Sequence, residues 1–76
     1  MAANDMSTIY VPLLDEGVDV WRPVTAKELP DGLHEIVSVN THPSDEKWAF
    51  PTGSRVRCEP RSLSDGVHLV AVGLVR

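Results

Sequence analysis

"LLDEGVDVWRPV", residues Leu13 to Val24, sets an apolar pair, a turn, an alternating run and then a tryptophan beside an arginine and a proline. Alternation with period two is the mark of a strand with one buried face. The segment before it, "STIYVPLL" (7–14), is rich in β-branched and aromatic residues. Two such runs about a short acidic loop read as a β-hairpin, with "DEG" (15–17) as the connection and Gly17 available for a positive φ. Pro12 and Pro23 lack an N–H donor, so each predicts an edge, a bulge or a corner, with the bulge expected at Pro23.

Outward from this hairpin the same grammar repeats. "PDG" (30–32) is a strong turn signal: the proline presets φ, the aspartate bonds back to the backbone and the glycine turns the chain. "LHEIVSV" (33–39) follows as a strand, and "NTHPSDEK" (40–47) as the longest loop. "WAF" (48–50) then leads into the turn "PTGS" (51–54). "RVRCEP" (55–60) alternates cleanly, with Val56 and Cys58 on one face and Arg55, Arg57 and Glu59 on the other. "RSLSDG" (61–66) connects it to "VHLVAVGLVR" (67–76), a near-continuous apolar strand. No segment keeps a 3.6-residue period, and "TAKEL" is too short for a helix before Pro30 stops it.

Five or six short strands at about ten-residue spacing predict an all-β fold, a small antiparallel SH3-like barrel, because closing the sheet disposes of its edges. The 76 residues allow one domain, expected over 7–76 after a frayed tail at 1–6. Such a chain buries only about 60% of its unfolded surface, which leaves little apolar material for a deep enclosed active site.

The order "VPLLDEGVDVWRPV … DGLHEIV … DEKWAFPTGSRVRCE … LVAV" resembles a group of short uncharacterised bacterial proteins. They share an LLDEGxxVWRPV opening and a DExWxFPxGSxVRCE centre, and the likeness runs from about Val11 to Val72. It also resembles the wider SH3-like barrel class, where a "PxGSxVRC"-type entry from turn to strand is common. The resemblance implies a fold and brings no activity with it. The acidic residues and tyrosines of proline-rich-peptide binders are missing, Tyr10 being the one tyrosine.

The formal net charge of −4 argues against a general nucleic-acid binder, which wants a basic footprint. Charge is unevenly placed, however. Residues 1–21 hold no Lys or Arg, while Arg55, Arg57 and Arg61 are three of the seven basic residues. A lone cysteine excludes an internal disulfide, and the N-terminus lacks the basic and apolar regions of a signal peptide. No apolar run approaches the ~20 residues of a membrane-spanning helix. A cytoplasmic setting without a membrane follows as the expectation.

Catalytic groups are sparse. His34, His42, His68 and Cys58 match no metal-ligand spacing and read as three half-exposed histidines and a core thiol. No glycine-rich phosphate loop appears, and the carboxylate pairs of "DEG" and "SDE" sit in loops where water keeps them ordinary. The expectation is a non-enzyme with no metal and no cofactor. The aromatics Tyr10, Trp21, Trp48 and Phe50 carry more weight, since two or three of them must be core in so small a barrel. Trp21 has opposite parity to Val18 and Val20, so it is either core or exposed beside Arg22, or it and Trp48 plug the barrel ends.

Two functions follow as expectations. The first is a non-enzymatic protein-interaction or regulatory module, with Trp21, Arg22 and Asp19 as the contact set for a protein partner. The second is a nucleic-acid or ribonucleoprotein accessory, with Arg55, Arg57 and Arg61 on phosphates. Nothing in the sequence specifies an oligomeric state.

Overall fold

A computed structural model describes residues 5–75. They form six strands and no helix: β1 (Met6–Leu14), β2 (Trp21–Glu28), β3 (His34–Ile36), β4 (Lys47–Trp48), β5 (Arg55–Leu63) and β6 (Gly66–Leu74). Hydrogen bonding runs in a ring. β1 pairs with β2, β2 with β3, β3 with β5 and β5 with β6, and β6 returns to β1. The fold is the expected small all-β, SH3-like barrel, mostly antiparallel. One pair is not antiparallel: β6 meets β1 parallel, at Tyr10 and Val70. Five strands that alternate in direction around a closed ring must leave one parallel seam. β4 lies outside the ring and pairs with the far end of β1, Leu13 opposite Trp48.

The core is an alternation written on every wall of that ring. Ile9 and Val11 on β1, Val24 and Ala26 on β2, Ile36 on β3, Val56 on β5 and Ala71 on β6 are buried together, with Trp48, Phe50 and Cys58 packed against them. Val70 and Ala71 are neighbours, yet both are buried. They take opposite faces: Ala71, across from Cys58, joins the core, whereas Val70, across from Glu59 and beside Tyr10, is buried on the outer side. The one irregularity of β6 comes after them, where Arg57 pairs with Gly73 but Cys58 with Ala71, so Val72 is a bulged extra residue.

Several expectations need correction. The tail was expected to end at residue 6, but Met6 already pairs with Lys27, and the Asp5 carbonyl accepts from Glu28 N–H at 2.7 Å. Residues 1–4 lie outside the described residues. The first hairpin connection is not "DEG" alone. The chain leaves the sheet through residues 15–20, with Leu13 N–H closing the loop on the Val20 carbonyl at 2.9 Å. The positive φ there belongs to Asp15, at 60°, and not to Gly17. Val18 is 74% exposed and belongs to no strand, so the parity conflict between Trp21 and the valines does not arise.

No bulge occurs at Pro23 either. The β1–β2 register is unbroken from Met6 opposite Lys27 to Pro12 opposite Trp21. β3 pairs with β2 only as far as Ala26, which leaves Pro23 beyond the end of that ladder. Thr25 N–H, two residues on and pointing the same way, bonds Ser38 Oγ at 2.7 Å instead of a strand carbonyl. The missing donor of Pro23 therefore breaks no sheet bond. "TAKE" continues β2 as plain strand. β3 is shorter than expected, β4 ends at Trp48, and β5 runs on through Leu63 to a two-residue turn at Ser64–Asp65.

Candidate functional site

Alternation sends Ile9 and Val11 inward, so Tyr10 between them faces outward. Its cross-strand partner is Pro23, and the next outward pair is Pro12 with Trp21. Behind Tyr10, His68 of β6 lies with its ring centroid 4.5 Å away, tilted by 42°. His68 Nε2 donates to Asp65 Oδ1 at 2.9 Å, which ties the β5–β6 turn to the same outer face. The result is an open groove of about 460 Å³. Tyr10 and Trp21 line it from the sheet, Asp19 and Val20 from the β1–β2 loop, and Leu63, Ser64 and Asp65 from the β5–β6 turn.

Arg22 is not part of this groove. A strand sends neighbours to opposite faces, and Arg22 turns toward the 40–46 loop. There Nε donates to Glu46 Oε1 at 3.0 Å and an Nη donates to Oε2, a bidentate pair. Trp48 Nε1 also donates to Glu46 Oε1, at 3.1 Å. The loop is tied internally too: Asn40 Nδ2 donates to the Glu46 carbonyl, and His42 N–H to Asn40 Oδ1. Hydrogen bonds from Arg22 first, and then from Trp48, hold the Glu46 carboxyl below the usual range. The Arg22 guanidinium is pushed higher in turn, chiefly by that same bond. A second hollow of about 340 Å³ beside this pair is lined by Arg22, Ser38, Asn40, Thr41 and His42, among others. The expected contact set is thus divided: Asp19 and Trp21 share one groove, while Arg22 braces the long loop on another side.

The arginines of β5 do share a face. Arg55, Arg57 and Arg61 are all exposed and of one parity, since the bulge falls on β6 and leaves β5 regular. Carboxylates interrupt the row, however. Glu35 is the cross-strand neighbour of both Arg55 and Lys27, and Glu59 pairs with Arg61 at 3.1 Å. Arg57 lies across Gly73, where a side chain's first carbon would stand 3.5 Å from the guanidinium.

The aromatics split in two. Trp48 and Phe50 pack on the core, whereas Tyr10 and Trp21 form the outer groove and plug no barrel end. Cys58 is half-buried rather than fully enclosed, and burial raises its thiol above the ordinary range. The histidines are not all half-exposed: His34 on β3 is buried at 8% exposure, His68 is half-buried on Tyr10, and His42 is exposed. Among the described residues no three His, Cys, Asp or Glu side chains come together as a metal site. No helix among them is long and apolar enough to cross a membrane.

Sequence reasoning missed the far wall of the groove. Leu63 and Asp65 lie more than forty positions from Trp21, and no local signal links them. Tyr10 was legible as an aromatic on an alternating strand, but its pairing with His68 depends on the parallel seam. No family model matches the chain, and neither a curated protein nor a solved structure is significantly similar to it.

Proposed function

We propose that this protein is a non-enzymatic protein-interaction or regulatory module of the cytosol, and that its contact surface is the outer groove of Tyr10 and Trp21. One observation carries the reading: two of the four aromatic residues are spent outside the core, side by side on an open surface. Each aromatic side chain buries roughly 150–250 Å² when covered, the largest gain any residue offers to a core or an interface. A barrel with few core residues that leaves two such side chains at the surface has another use for them. Trp and Tyr are the residue types that dominate binding energy at protein contacts. Asp19 belongs to this surface; Arg22 serves it only by holding the neighbouring loop.

The rival reading, a nucleic-acid accessory, rests on the shared face of Arg55, Arg57 and Arg61. The Glu35 and Glu59 carboxylates set among them reduce the field that phosphates would meet. Affinity capture from the host with and without nuclease separates the two. A protein partner retained after nuclease, lost with Trp21→Ala and kept with Arg55→Glu plus Arg57→Glu, supports the module. Capture that needs nucleic acid and fails with the double arginine variant refutes it. Circular dichroism must show each variant folded.

A further inference from the structure

We infer that the Tyr10–Trp21 groove takes an extended, positively charged segment of a partner protein, with a Lys or Arg side chain laid on the aromatic rings between Asp19 and Asp65. This rests on the module reading above and adds the chemistry of the occupant. Both walls of the groove carry a carboxylate, Asp19 on the β1–β2 loop and Asp65 in the β5–β6 turn, and no Lys or Arg lines it. The nearby cations are committed elsewhere: Arg22 to Glu46, Lys47 to Asp15 and Arg61 to Glu59. Asp19 has no ion-pair partner among the described residues, and Asp65 gives one oxygen to His68 and keeps the other free.

Aromatic faces attract cations through the ring quadrupole, and carboxylates at the rim add to the same sign of field. Phosphate is repelled by that arrangement. The groove is open along one side, so a small molecule would stay largely in water, whereas a chain can continue past both ends. The absence of any Lys or Arg in residues 1–21 extends the negative field over the β1–β2 loop, where Glu16 is also exposed.

The test is a titration of the 15N-labelled full chain with three eight-residue capped peptides, in which valine alternates with arginine, glutamine or glutamate. An eight-nucleotide oligothymidylate is the fourth probe. The readout is the indole N–H signal of Trp21, with that of Trp48, held by Glu46, as internal reference. The arginine peptide should shift Trp21 and leave Trp48 in place, and raised salt should weaken it. Asp19→Asn with Asp65→Asn should weaken it by about fivefold or more, as two partly exposed ion pairs imply. Asn keeps the turn chemistry at position 65. If that double variant does not fold, the salt dependence of the unaltered chain decides the same point. Equal binding of the glutamine peptide at Trp21 overturns the cationic occupant while leaving the groove as a protein-binding surface. Binding of oligothymidylate there, or no shift of Trp21 with the arginine peptide, overturns the inference. The nuclease-resistant capture experiment judges the module reading separately.

Discussion

Replacing Gly53 by alanine should destabilise the barrel through backbone geometry alone. Gly53 sits in the turn before β5 with φ at 89°, in the region that L side chains rarely adopt. An added Cβ would meet nothing within 4 Å, so no clash contributes. The turn cannot relax freely, because Gly53 N–H donates to the Ile36 carbonyl at 2.7 Å and Ile36 N–H donates to the Ser54 carbonyl at 2.9 Å. Those two bonds clamp the turn onto β3. A left-handed conformation costs a non-glycine residue about 1–2 kcal/mol. Stiffening the unfolded chain returns about 0.4–1 kcal/mol. The net loss is about 1 kcal/mol, which in a domain of this size lowers Tm by ~4–8 °C. Thermal melts followed by circular dichroism read it directly. Gly17→Ala is the control: it has no positive φ and open space around it, so it should be neutral or slightly stabilising. Gly53→Asn should fall between the two, since asparagine tolerates the left-handed region. A Gly53→Ala melt equal to that of Gly17→Ala would refute the conformational argument.

Three other outcomes follow from the same geometry. The Glu46 carboxyl titrates below its unfolded value, so its contribution is complete above the unfolded carboxylate range and disappears as pH falls through the lower folded value. The Tm difference between the native chain and Glu46→Gln should accordingly be present near about pH 7 and vanish near about pH 2; a pH-independent difference counts against the Arg22–Glu46 pair. Native Cys58, packed on the core with a raised pKa, should react with a maleimide far more slowly than in urea, and equal rates would place it at the surface. Ile36→Val should cost about 0.5–1.5 kcal/mol in urea unfolding and Ile36→Ala about 2–5 kcal/mol, because Ile36 is fully buried in the three-residue strand that closes the ring; near-equal values would mean that the site collapses around the loss.

The strands and their order along the chain were legible in the sequence, because a half-buried strand repeats every two residues and its turns carry Gly, Pro and Asp. Val56 follows from that rule alone, as does the shared outer face of Arg55, Arg57 and Arg61, whereas Val24 and Ala26 lie beyond Pro23, where a bulge was the expectation and the register runs on unbroken. The tertiary structure decided what local periodicity cannot carry. Closing a meander of five strands forced the parallel seam between β1 and β6 that stacks His68 on Tyr10. The same seam buries Val70 on the outer side beside Tyr10, while its neighbour Ala71 alternates into the core. Arg22 left its neighbour Trp21 because adjacent strand residues face opposite ways, and its partner Glu46 lies on a loop whose path only packing sets. Alternation determines which face a side chain takes, but only ring closure determines what stands opposite it. The groove between Trp21 and Asp65, drawn from segments more than forty residues apart, exists for that reason and had no trace in either segment alone.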